Sequence, residues 1–233
     1  MVTLKLLAFD ADDTLWHNER LFLDVQARFL EIVRRHTDSD IIEQRLYETE
    51  VANLGHYGYG VKSFTLSMVE TAIDLTDGRV TGGDIGRILD LGREMLLAPV
   101  DVLDGVRDTV TRLSESYDLM VLTKGDLLDQ ETKIARSGLG DLFTHVEVVS
   151  RKDRSTYEDV LDRHGLEPPE FVMIGNSLRS DILPVVEMGA HAIFVPYEST
   201  WEHEAVPERE LDPARFHTAG TIRAVPGLVA SIA

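Results

Sequence analysis

Two patterns of apolar and polar positions run along this chain. Leu4, Leu6, Leu7, Ala8 and Phe9 form an apolar run that predicts a buried strand. The run stops abruptly at Asp10, and a second carboxylate follows at Asp12. From about residue 101, short apolar runs alternate with helical spacing. Residues 106–116, 130–137, 156–164 and 181–188 predict helices. Residues 119–122, 146–149, 171–174 and 192–195 predict strands, the last of these closing the series. Residues 222–232 predict a final helix. Repeated strand–helix units of this length imply a parallel sheet covered on both faces.

Residues 20–98 show helical spacing throughout. Phe22, Val25, Phe29 and Val33 mark a first helix. Ile41, Ile42, Leu46 and Val51 mark a second, opened by Asp38 or Ser39. Phe64, Met68, Ala72 and Leu75 mark a third. Ile85, Leu89, Leu96 and Leu97 mark a fourth, with Thr81 as its N-cap. The expected organisation is an α/β core of residues 1–15 plus 99–233, built on a doubly wound parallel sheet. An all-helical domain, residues 16–98, is inserted after its first strand.

Composition narrows the function classes. The formal net charge is −18, and no basic stretch gives the footprint that nucleic acid requires. No apolar run approaches the roughly 20 residues that span a bilayer, and the N-terminus does not read as a secretion signal. Cysteine is absent, which removes thiol catalysis and cysteine-based zinc sites and suits a cytoplasmic protein. An acidic chain repels anions, so a phosphate site here must bring its own local positive charge.

The candidate chemistry sits where the strands end. Side chains alternate along an extended segment, so Asp10 and Asp12 point to the same side. Adjacent carboxylates repel unless a cation lies between them or one holds a proton. One can then attack while the other shuttles a proton. Thr123, Lys152, Asn176 and Asp181 follow the later strands, and all gather at one edge of a parallel sheet. Such a set can hold a hard cation and a tetrahedral oxyanion together. Carboxylate and amide oxygens suit Mg²⁺, and Lys152 would help neutralise phosphoryl oxygens during in-line attack.

In order, these residues resemble the four motifs of the haloacid dehalogenase superfamily of hydrolases, over about residues 4–20 and 100–197. The motifs are Asp10-Ala11-Asp12-Asp13-Thr14, then Thr123, then Lys152, then Gly175-Asn176-Ser177-Leu178-Arg179-Ser180-Asp181. The resemblance implies a Rossmann-like core with a small helical cap that closes over the site. It implies that Asp10 attacks phosphorus and forms an aspartyl-phosphate. Asp12 would protonate the leaving oxygen and then activate water. Thr123 and Lys152 would hold the phosphoryl oxygens, with Lys124 as the rival ammonium. Mg²⁺ would be held by Asp10, the backbone carbonyl of Asp12, and the fourth motif through Asn176 and Asp181. The sequence departs from the family pattern at Asn176, where Asp is usual, and at Asp153, where Pro is common.

The expected activity is Mg²⁺-dependent hydrolysis of a small, soluble phosphomonoester, without a nucleic-acid or membrane partner. A dehalogenase, a phosphonate hydrolase and a non-catalytic pseudo-phosphatase are the alternatives. The phosphonate hydrolase would form an imine through Lys62, the only lysine of the helical insert. Trp16, Tyr57, Tyr59 and Lys62 are the candidate specificity residues, with packing where the chain leaves the core an equal reading for Trp16 and a solvated helix start the expected one for Lys62. The link Gly55–Gly60 has two readings, a segment that faces substrate and a flexible turn that joins helices. Residues 200–204, Thr-Trp-Glu-His-Glu, follow the last predicted strand at the same edge. Their His and Glu types would suit a second metal, but solvated loop surface is the expected reading.

Overall fold

The computed structural model describes residues 3–199, 201–204, 206 and 211–233. Strand β1 (Leu6–Phe9) comes first, followed by helices α1 (Glu19–Val33), α2 (Ile42–Tyr57), α3 (Val61–Leu75) and α4 (Gly82–Leu97). Alternation then sets in with α5 (Val106–Ser114), β2 (Asp118–Lys124), α6 (Leu127–Ser137) and β3 (His145–Val149). It continues through α7 (Arg154–His164), β4 (Phe171–Gly175), α8 (Leu183–Glu187) and β5 (His191–Phe194), and ends with β6 (Phe216–Thr218) and α9 (Val225–Ile232). Contacts divide the chain into two units. One holds the residues up to Glu19, Val100–Lys124 and the chain from Gln130 on; the other holds Arg20–Pro99 with Gly125–Asp129.

The sheet of the first unit is parallel throughout, in the order β3-β2-β1-β4-β5-β6. Its strand residues alternate between two apolar layers. Leu7, Phe9, Leu119, Val121, Val172 and Ile174 pack with Val106 and Val110 of α5 and Val225 and Val229 of α9. Leu6, Ala8, Met120, Leu122, Phe171 and Met173 pack on the other face with Tyr157 and Val160 of α7 and Val185 of α8. Both faces being covered, the strands read as nearly continuous apolar runs. β1 pairs with β2 on one side and β4 on the other, so the strand order reverses at β1 and leaves a crevice beyond its carboxyl end. Asp10 is the first residue past that end.

The second unit has its own core. Val25, Phe29 and Val33 of α1 meet Leu46 of α2, Phe64, Met68 and Ala72 of α3, and Ile88 and Leu91 of α4. Each set recurs at three- and four-residue spacing, which places it on one helix face. Thr81 caps α4, its hydroxyl accepting from the Asp84 amide at 3.1 Å and donating to the Asp84 carboxylate at 2.8 Å. Thr81→Ala removes both bonds, and an N-cap hydroxyl contributes about 1 kcal/mol. We expect a lowered urea midpoint with unchanged activity on a small phosphate. An unaltered midpoint would mean that Asp84, also held by His36 and Arg87, keeps the helix end without help.

Several expectations are corrected. The sheet has a further strand, β6, after the series expected to end at 195, because Phe216-His217-Thr218 is too short to show a period. The helix expected over 181–188 begins as a π-turn, Leu178–Ile182, and becomes α-helical only at Leu183. Neither Asp38 nor Ser39 caps α2, whose first flanking residue is Ile41. α6 begins before the expected residue 130, and its first turn belongs to the helical unit. Gly55, His56 and Tyr57 are the last turn of α2, so the link is only residues 58–60. Among the described residues, no helix is long and apolar enough to cross a membrane.

Candidate functional site

The site is built outward from the end of β1. The Asp10 amide donates to the Ile174 carbonyl at 2.8 Å, which fixes Asp10 beside the end of β4. The chain then folds back on itself. Thr14 and Leu15 amides both donate to the Ala11 carbonyl, and Asp13 takes a left-handed conformation with φ 62°. Asp tolerates that region better than most residues. The turn aims the Asp13 carboxylate at the start of α1, where it accepts from the Asn18 amide at 2.8 Å and the Glu19 amide at 3.1 Å. Even so, burial pushes Asp13 up to about 6, with Asp12 adding to the rise.

Asp10 and Asp181 share Lys152. The Lys152 ammonium bonds Asp10 Oδ1 and lies 2.7 Å from Asp181 Oδ1, and all three side chains are buried. Lys152 is aimed there by α7, whose N-cap is the next residue: the Asp153 carboxylate accepts from the Thr156 amide at 3.0 Å. The residue that departs from the family pattern is therefore a working helix cap. Asp181 is held from behind, its Oδ2 accepting from the Ser177 amide at 3.0 Å. A side chain at position 175 would meet Asp181 Oδ2 at 2.3 Å, so only glycine lets the carboxylate lie against the end of β4. The Thr14 hydroxyl lies 3.4 Å from Asp10 Oδ2 and 3.2 Å from Asn176 Oδ1, which brings the amide oxygen into the same group.

Burial pushes Asp10 up to about 7; Lys152 works against the rise, while Asp181 and Asp12 add to it. The group is thus short of positive charge. Its oxygens are two carboxylates and the Asn176 amide. Among the described residues no cluster of three or more His, Cys, Asp or Glu side chains could hold a metal. The set fits a hard cation that keeps several waters and takes only one or two carboxylates, as Mg²⁺ does.

Asp12 has three side-chain donors of its own. Trp16 Nε1 donates to Oδ1 at 2.8 Å, Gln130 Nε2 to Oδ2 at 2.9 Å, and Lys133 Nζ to Oδ1 at 3.0 Å. Burial alone would push Asp12 up, but Lys133, Gln130 and Trp16 outweigh it and hold the carboxyl below its ordinary value. Trp16 was expected among the specificity residues. It is 1% exposed within the first apolar layer, and its indole N–H donates to Asp12. Gln130 and Lys133 are one helical turn apart on α6 and were not singled out from the sequence. Nothing local marks two polar residues on an amphipathic helix as partners of a carboxylate 118 and 121 residues away.

Thr123 is buried at the end of β2, next to Lys124. The Lys124 ammonium contacts Ser180 Oγ at 2.9 Å and bonds the Glu204 carboxylate, so it is engaged with the fourth motif's turn. Glu204 corrects the expectation of loop surface for 200–204, because it is 9% exposed and fully bonded; Thr200 lies outside the described residues. In the helical unit, Lys62 bonds Asp126 at 2.8 Å from an exposed position at the start of α3. Tyr57 is exposed there and Tyr59 half-buried.

Residues 4–189 match the haloacid dehalogenase-like hydrolase family. A solved haloacid dehalogenase-like family hydrolase from Xanthomonas campestris is 41% identical with a TM-score of 0.89, covering 99% of this chain and 92% of that one. The glyceraldehyde 3-phosphate phosphatase of Pyrococcus furiosus is 25% identical over 206 residues, 84% of this chain and 82% of that protein. A solved 2-haloacid dehalogenase from Pseudomonas syringae shares the fold at 18% identity and a TM-score of 0.67, covering 99% of this chain and 100% of that one.

Proposed function

The chain belongs to the haloacid dehalogenase-like hydrolase family, and from that premise we propose that it is a Mg²⁺-dependent phosphatase of small phosphomonoesters. The observation that carries this reading is Asp10 at the sheet's switch point, on Lys152, with a second carboxylate, Asp12, two residues on. A dehalogenase needs no proton donor for its leaving halide, whereas an alkoxide leaving group does. The phosphatase among the relatives points the same way. Triose phosphates and other small phosphorylated metabolites are the substrates to test first. The helical unit, inserted after β1, takes the part of the family's cap, with Tyr57, Tyr59 and Lys62 as its specificity candidates. A cysteine-free chain acting on metabolites fits the cytoplasm.

In this mechanism an Asp10 oxygen attacks phosphorus in line. The bond from phosphorus to the ester oxygen breaks, and Asp12 gives that oxygen a proton. Asp12, now a carboxylate, takes a proton from water, whose oxygen displaces Asp10 from phosphorus. Inorganic phosphate leaves and Asp10 is restored. Thr123 and Lys152 hold the phosphoryl oxygens. Lys133 and Gln130 favour ionised Asp12, so the first step needs the bound phosphate's own negative charge to raise that pKa. Mg²⁺, held by Asp10, the Asp12 carbonyl, Asn176 and Asp181, would neutralise phosphoryl charge.

The test is turnover of p-nitrophenyl phosphate and of a panel of phosphorylated metabolites, with Mg²⁺ and with chelator. We expect phosphate release that requires Mg²⁺. No release from any of them, or release indifferent to chelation, would overturn the reading. Asp12→Asn separates the steps further. It should be nearly inactive on alkyl phosphates and less impaired on aryl phosphates, whose leaving groups need less protonation. Equal losses would remove proton donation as its main role.

A further inference from the structure

The Asp12 side chain only accepts hydrogen bonds. Trp16 Nε1, Gln130 Nε2 and Lys133 Nζ all donate to it, which is the bonding pattern of a carboxylate and not of a carboxylic acid. The arrangement is therefore that of the base, ready to take a proton. Oδ1 is held by Trp16 at 2.8 Å and by Lys133 at 3.0 Å. Oδ2 has Gln130 at 2.9 Å and Lys133 only at 3.3 Å. The last torsion of an aspartate is broad, so its carboxylate is fixed only when each oxygen has its own donor. Gln130 supplies the nearer donor to Oδ2.

The three donors differ in what else they do. Trp16 packs in the first apolar layer, and its carbonyl accepts from the Asp13 amide at 2.8 Å. Lys133 also donates to Asn18 Oδ1 at 2.9 Å. The Gln130 side chain is buried, and its one hydrogen bond is the bond to Asp12. Its other end, Oε1, is buried with no partner among the described residues. Turning the amide over would set Oε1 against the Asp12 carboxylate, acceptor on acceptor. An unmet buried carbonyl lowers stability. Methionine or leucine would fill a buried position on this helix without that cost. The fold alone therefore does not call for an amide at position 130, whereas the Asp12 carboxylate does.

We propose that Gln130 is a positioning residue for the second half of the reaction: it holds Oδ2 so that the Asp12 carboxylate meets the water that splits the aspartyl-phosphate. In that step the water oxygen bonds phosphorus, the bond from phosphorus to the Asp10 oxygen breaks, and the water proton goes to Asp12. This rests on the phosphatase reading. Gln130 acts through Asp12 and is assigned no contact with the phosphoryl group.

The test compares wild type with Gln130→Met, which removes the donor, and Gln130→Asn, which keeps an amide but shortens its reach. The readout is enzyme trapped as aspartyl-phosphate by acid quench, under saturating p-nitrophenyl phosphate with Mg²⁺. The ratio of phosphorylated to unphosphorylated enzyme equals the rate of formation over the rate of hydrolysis. Slower hydrolysis raises that ratio whichever step limits turnover. A rise of about tenfold is expected in both variants, the worth of one hydrogen bond to a charged group. The ratio kcat/KM should stay within about twofold of wild type, because it reports only the steps up to phosphorylation. Gln130→Met should keep the melting temperature near that of wild type, since it loses one bond and also the orphaned oxygen. An unchanged phosphoenzyme ratio in either variant would overturn the proposal, as would a loss of about tenfold in kcat/KM. Variants that fail to fold would make Gln130 scaffold and overturn it too. Wild type that yields neither p-nitrophenol nor phosphoenzyme would fault the phosphatase reading itself, and the role would fall with it.

Discussion

Asp10→Asn is expected to keep the fold and to lose phosphomonoester turnover by several orders of magnitude. The amide has the same shape but no oxygen that can attack phosphorus, and losing a covalent nucleophile removes the whole pathway. The fold should survive because the change removes one charge from a buried group rich in carboxylate. Burial has already pushed Asp10 up to about 7, so its ionised form is the strained one. Lys152 keeps Asp181 as its partner at 2.7 Å. Phosphate release and thermal unfolding, measured on the same preparation, check both halves. Appreciable turnover free of wild-type contamination would take the nucleophile's role from Asp10.

Lys152→Met should do the opposite to stability and the same to activity. It leaves Asp10 and Asp181 buried and facing each other without the ammonium that both bind. Breaking a buried ion pair by removing one partner costs about 3–5 kcal/mol. The pH dependence has a definite sign. Asp10 already stands above its ordinary value, and loss of Lys152 raises it further. Between its unfolded and folded values the folded state then holds a proton that the unfolded state has lost, so stability falls as pH rises. The deficit of Lys152→Met against wild type should be level from about pH 4 to about 7, where Asp10 is protonated in both folded proteins, and should widen from about pH 7 to about 9, where Lys152 lets only the wild-type Asp10 ionise. Urea unfolding at several pH values measures this. A deficit that stays level from about pH 7 to about 9 would mean that the carboxylates are neutralised by something other than Lys152.

Legibility in the sequence differed residue by residue. The apolar run ending at Asp10 was visible because a strand covered on both faces must be apolar at every position, and its end must be polar. Thr81 was visible because an N-cap acts on an amide only three residues away, here that of Asp84. Trp16 stayed open between a pocket wall and packing, because sequence shows that a large residue follows the motif but not which side of the chain it packs on. Glu204 was misread for a related reason. Its surroundings read as polar loop, and its partner Lys124 lies 80 residues earlier. α6 carried both kinds of information: its apolar positions predicted the helix, while Gln130 and Lys133 gave no sign of Asp12.

The sequence by itself determined the order of strands and helices as far as β5, the helical insertion after the first strand, and the polar residues at the strand ends. All of these follow from burial, and burial imprints a period on neighbouring residues. Only the tertiary structure decided which charge meets which. Asp10 and Lys152 are 142 residues apart, and Asp12 and Lys133 are 121 apart. The assignment of Lys152 to Asp10 and Asp181, and of Lys124 to Glu204, depends on how β1, β2 and β4 lie side by side and on the turn after β4. Coulombic and hydrogen-bond partners are chosen by distance in space, and a pattern along the chain carries that distance only within a turn or two of helix or strand.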